Sequence, residues 1–142
     1  MAPALKRGTV AAAPIAEPTL SAVLKDGGIR VLLPPFLNVY GLHFMVGGWF
    51  TTTDWIAKNR HTSQRFIDAI YATGKWANEH PAESALILAK YAKLDPTIVL
   101  GMNRAPYGSS LSPEMIQSVL DLSYKYGVFD HRVMATDLIA SV

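Results

Sequence analysis

The stretch Thr9-Val10-Ala11-Ala12-Ala13-Pro14-Ile15-Ala16-Glu17-Pro18 decides how the rest of the chain is read. Thr9 to Ile15 is short and apolar, the pattern of a strand buried on both faces, and Pro14 places it at a sheet edge or at the strand's end. Pro18 then opens a helix to about Lys25. Proline suits the first helical position, acidic Glu17 lies beside the positive end of the helix dipole, and Gly27-Gly28 end the helix. Upstream, Pro3 to Arg7 reads as a last helical turn stopped by Gly8. Downstream, Ile29 to Leu33 forms the next strand and Pro34-Pro35 end it. His43 to Phe50 is a third extended run, in which Gly47 and Gly48 mark a bulge or a close backbone approach.

From Thr51 the period becomes helical. Thr53 caps a short helix through Lys58. His61 to about Glu79 follows, with Phe66, Ile70 and Ala77 on one face and Ile67 and Tyr71 beside them. Pro81 to Lys93 is strongly apolar, and Asp95-Pro96 starts a short helix ending near Gly101. Asn103 to Leu111 is loop. Ser112-Pro113-Glu114 opens a helix whose buried face carries Met115, Ile116, Val119, Leu120 and Leu122, up to Gly127. Ala135 to Ile139 completes the set. The expected fold class is α/β, helix-rich, with about three strands. So few strands cannot easily form a core under this many amphipathic helices, so either the helices make their own bundle or a sheet is missing, and the expectation favours the missing sheet.

Composition narrows the function classes. Half of the 142 residues are apolar and 17% are charged, enough for a packed core and unlike a disordered chain. The formal net charge is only +2 and the basic residues are scattered, which argues against a phosphate-tracking surface and against nucleic acid as a partner. With no cysteine, disulfides, thiolate metal sites and cysteine nucleophiles are excluded. His43, His61, His80 and His131 lack metal-ligand spacing, so no metal and no cofactor is expected. Ser109 and Ser110 lack the Gly-x-Ser-x-Gly elbow, the paired glycines lack a phosphate-loop Lys, and no catalytic residue is assigned. No apolar run approaches the roughly 20 residues that span a bilayer. Lys6 and Arg7 precede a stretch broken by Pro14, Glu17 and Pro18, which is not the pattern of a signal peptide.

Three segments, taken in order, resemble the solute-binding proteins of ABC importers of the nitrate/sulfonate/taurine type. Ala4-Leu5-Lys6-Arg7-Gly8 through Glu17-Pro18 is similar to that family's helix end, Gly, strand and Glu-Pro signature. Gly48-Trp49-Phe50 to Asn59, running into Arg65-Phe66-Ile67-Asp68-Ala69, is similar to the segment where the chain returns to the first lobe. His80-Pro81-Ala82-Glu83, Lys90-Tyr91, Leu94-Asp95-Pro96, Tyr107-Gly108 and Tyr124-Lys125-Tyr126-Gly127 are similar to the C-terminal helices. Ala11 departs from the pattern, standing where the family usually has Asp.

The resemblance implies a partial periplasmic-binding-protein-like fold of type II. Residues 1–40 would form the end of the second lobe with the crossover, and 41–142 the closing, mostly helical part of the first lobe. It implies a receptor fragment, not an enzyme, for a small anionic or zwitterionic solute such as nitrate, a sulfonate, taurine or a pyrimidine precursor. The partner would be an ABC permease and, through it, an ATPase, in a periplasmic or extracytoplasmic setting. The cleft residues would be Ala16, Glu17 and Pro18 at the strand exit, Asn38 and Tyr40 on the crossover loop, and Trp49 beside the paired glycines. Each also has an ordinary reading: Glu17 as a helix-terminus acid, Trp49 as a core side chain, Asn38 and Tyr40 as surface loop. The competing function is a helical module that docks a partner or a second copy through Pro81 to Lys93 and Pro113 to Tyr126.

Overall fold

Local punctuation becomes helix structure where the sequence signals it. The computed structural model describes residues 1–32 and 44–140, and within these the chain forms eight helices. α1 (Ala2–Lys6) ends ahead of Gly8, whose φ of +70° is a left-handed backbone that glycine adopts at little cost. α2 (Thr19–Asp26) ends at Gly27. α3 (Thr53–Lys58) is capped by Thr52 rather than Thr53: the Thr52 hydroxyl accepts the Trp55 N–H at 3.2 Å. α4 (Arg60–Glu79) is the longest at 20 residues. α5 (Pro81–Ala92) closes on Lys93 in a left-handed conformation. α6 (Pro96–Gly101) is capped by Asp95, which accepts the Thr97 N–H at 2.9 Å. α7 (Glu114–Lys125) and α8 (Ala135–Leu138) complete the order.

The α/β expectation is overturned, because among the described residues there is no strand and the fold is all-α. Thr9–Ile15, residues 29–32 and residues 44–50 are irregular; Leu33 and His43 lie outside the described residues. The physical reason is pairing. A helix satisfies its N–H and C=O groups within itself, whereas a strand is held by the ladder and side-chain pairs of a neighbour. Among the described residues none of the three segments forms a ladder with another. Many of their large side chains accordingly remain at the surface: Val10, Val31, Leu32, Val46, Trp49 and Phe50 are exposed, Phe50 almost completely at 98%, while Met45 packs against the buried cluster of Ile116, Leu120 and Ala135.

The chain divides into two compact units, each drawn from two stretches of sequence. The first comprises Met1–Pro35 and Lys75–Tyr107. Its core is the α5–α6 hairpin, in which Ala85, Ala89 and Val99 are buried and Leu88, Leu94 and Met102 pack against them. The small residues on α5 admit α6 closely, and α2 lies against α6, with its own Val23 buried. Val99 has no solvent exposure, and burying a valine is worth about 2 kcal/mol. Two surface ion pairs, Lys6 with Asp26 and Lys25 with Asp95, add little.

The second unit comprises Phe36–Gly74 and Gly108–Val142. Its core joins α7 to α8 through buried Ile116, Leu120 and Ala135, with Met45, Val133 and Ile139 packed around them. Gln117 ties this core together. Its carbonyl oxygen accepts the Ala135 N–H at 2.8 Å, while its amide N–H donates to the Val133 carbonyl and to Asp121. Met45 is held by its N–H to the Met115 carbonyl at 2.9 Å. Among the described residues each of these clusters is built on three buried side chains.

Candidate functional site

Glu17 is committed to the start of α2. One carboxylate oxygen accepts the Ser21 N–H at 3.0 Å and the other accepts the Ser21 hydroxyl at 2.9 Å. One oxygen thus serves a free N–H at the positive pole of a helix terminus, and the other holds the hydroxyl of the same serine. Ala16 is exposed beside it and Pro18 half-buried. These three residues belong to the first unit and Trp49 to the second; Asn38 and Tyr40 lie outside the described residues.

Trp49 is 76% exposed, so it lies neither in a core nor on the floor of an enclosed pocket. It meets Phe66 of α4 edge to face, ring centroids 5.5 Å apart, a geometry favoured by opposed ring quadrupoles. Phe50 and Trp55 are exposed nearby in sequence, giving the stretch before and into α3 three large aromatic rings open to solvent. Close by in the same unit, Thr53, Ile56, Ala57, Arg60 and Ala140 line an open depression of about 230 Å³. That is smaller than the pockets of about 300 Å³ and upward that enclose small-molecule ligands.

One densely hydrogen-bonded polar cluster was not anticipated from sequence. At the corner between α4 and α5, Asn78 and the Tyr107 backbone exchange two hydrogen bonds of 2.9 Å each, Nδ2 donating to the carbonyl and Oδ1 accepting the N–H. The Arg104 guanidinium donates to the Pro81 carbonyl and the Ser84 hydroxyl, both at 3.0 Å. Ser84 is buried and its hydroxyl reaches the Ala77 carbonyl at 3.1 Å. His80 stacks on Trp76 and places Nδ1 at 2.9 Å from the Trp76 carbonyl. Every one of these groups is spent on backbone or on a neighbour, so the cluster fastens the 104–107 loop to the helix corner. Only the short range of each side chain's reach, across 20 to 29 residues of sequence, hid it from a local reading.

No His, Asp or Glu grouping among the described residues is arranged to hold a metal ion. No helix among them is long and apolar enough to cross a membrane. Shifted carboxyl groups are all explained by structure-holding contacts. Asp121 is held below the ordinary carboxylate value by hydrogen bonds from Arg132 and then Gln117, and Asp95 by the Thr97 N–H and hydroxyl. None converges with a second titratable group in a cavity. No family model, curated protein or solved structure matches this chain.

Proposed function

We propose that this chain acts by association, as a binding component whose apolar surfaces are completed by complementary polypeptide, and that it is part of a solute receptor of an ABC importer. The observation that carries the first part is the solvent exposure of Val31, Leu32, Val46, Trp49 and Phe50 on irregular backbone that belongs to no helix or strand among the described residues. Large apolar side chains left open in this way, two in the first unit and three in the second, are a property of surfaces that bind other polypeptides. The second part is supported by the order of the three sequence segments that resemble the nitrate/sulfonate/taurine receptors. On this reading the solute is a small anion or zwitterion, the complete receptor docks on a permease in a periplasmic or extracytoplasmic setting, and no bond is made or broken.

Calorimetry against nitrate, taurine, alkanesulfonates and pyrimidine precursors tests it. The chain alone is expected to show no micromolar affinity, since the depression lined by Thr53, Ile56, Ala57, Arg60 and Ala140 is open and small. Mixed with the N-terminal half of a receptor of this type, it is expected to bind one of these solutes. Micromolar binding by the chain alone would remove the need for a complement, and failure with every such half would remove the receptor assignment.

A second reading, a helical module that pairs with its own copy, is favoured by α5, where Leu86, Ile87 and Tyr91 are all exposed on one helix. Light scattering after size exclusion discriminates: a strict monomer counts against it.

A further inference from the structure

The exposed half of α5 has a pattern that its own helix does not explain. Ala85 and Ala89 face the α6 hairpin core and buried Ser84 is bonded to the α4–α5 corner, which leaves Glu83, Leu86, Ile87, Lys90 and Tyr91 outward. Leu86 is 52% exposed, Ile87 49% and Tyr91 81%. At about 100° per residue, Glu83 and Lys90 fall along the middle of this outward face, with Leu86 to one side and Ile87 to the other. The two charges are seven residues apart, roughly 10 Å along the axis, too far to pair within one helix. Neither forms a salt bridge among the described residues.

We infer that α5 is the interface of an antiparallel pairing with a second copy of this chain, on a dyad between Leu86 and Ile87. The numbers 83 and 90 are symmetric about that point. An antiparallel copy therefore sets Glu83 opposite Lys90 and Lys90 opposite Glu83, while Leu86 meets its own copy on one side of the dyad and Ile87 meets its own on the other. An isologous interface must be self-complementary in this way. A parallel copy in register would instead oppose Glu83 to Glu83. One 12-residue helix offers less than the roughly 1,200 Å² of a stable interface, so the pairing is weak and concentration-dependent. The inference rests on the second, self-association reading above and is independent of the receptor assignment.

The signs of Glu83 and Lys90 also suit the helix dipole, acid in the first turn and base in the last. Charge exchange separates the two roles. Glu83→Lys and Lys90→Glu are each expected to weaken dimerisation about tenfold in sedimentation equilibrium, and the double exchange to restore it. A dipole role alone makes the double variant the worst of the three. Circular dichroism of each variant monitors helix content. Because the chain has no cysteine, Leu86→Cys gives a second readout that needs no charge change. It is expected to form a disulfide-linked dimer faster than a Ser109→Cys control. Dimers insensitive to both reversals and no preferential cross-linking at position 86 would overturn this interface while leaving self-association standing. A chain monomeric at every concentration would overturn both.

Discussion

Val99 and Phe50 are both large apolar side chains, yet one has no solvent exposure and the other is 98% exposed. The difference lies in what surrounds them. Val99 is on α6, a helix begun by an Asp95 cap and a proline and returned onto α5 by a short turn, so its neighbours are local and arrive together. Phe50 follows Gly47-Gly48 in a stretch that needs a partner strand to become regular, and the described residues include no strand. The comparison teaches that this chain buries apolar surface where helices meet over short sequence distances and leaves it uncovered where β pairing would be required.

The largest way to break that comparison is to charge both positions. Val99→Asp places an unpaired carboxylate in the first unit's core and is expected to cost about 3 kcal/mol or more, measured by urea unfolding followed by circular dichroism. Phe50→Asp is expected to change stability by no more than about 0.5 kcal/mol. Equal losses at the two sites would mean that Phe50 is covered in solution, and would point to the complement proposed above.

A smaller effect sharpens the comparison at the helix corner. Asn78→Ala removes both hydrogen bonds to Tyr107 and is expected to cost about 1–2 kcal/mol, with faster hydrogen exchange at the Tyr107 amide. If exchange at that amide is unchanged, the loop is held by Arg104 alone.

The smallest effect is on acid stability of the second unit. Asp121 is depressed below its ordinary value of 3.8 mainly by the Arg132 and Gln117 hydrogen bonds. A carboxylate lowered in the folded state contributes stability that is fully present above the ordinary value and is lost as pH falls through the lowered one. Asp121→Asn should therefore flatten the acid limb of the unfolding curve below about pH 4 and leave its neutral limb little changed, because the pair is exposed and screened. An unchanged acid limb would assign that pH dependence to other carboxylates.

The helices were legible because their signals are local. Pro18, Asp95-Pro96, Pro113, Gly27 and Gly127 act within a turn of themselves, and the boundaries follow to within a residue or two. Even so, the cap of α3 is Thr52, one residue ahead of the threonine expected. On α4 the buried positions include Ser63, Gly74 and Ala77, while Phe66, placed on that face by its hydrophobicity, is exposed against Trp49. The strands were illegible as failures for a different reason. An apolar run such as Thr9 to Ile15 records a capacity to pair, and nothing in the run says whether a partner exists. Glu17 was legible in both its roles, and its geometry shows the helix-terminus one. The Asn78–Tyr107 exchange had no sequence signal at all.

The exposed Trp49-Phe50 pair also makes the chain's state readable with an ordinary digestive enzyme. A protease that cuts after aromatic residues needs an accessible, irregular backbone, which residues 44–52 supply. Cleavage within this stretch would shorten the chain on a denaturing gel, and anything that seats on it would slow the cut. The rate of clipping is then a meter of occupancy, usable in crude mixtures before any occupant has been identified.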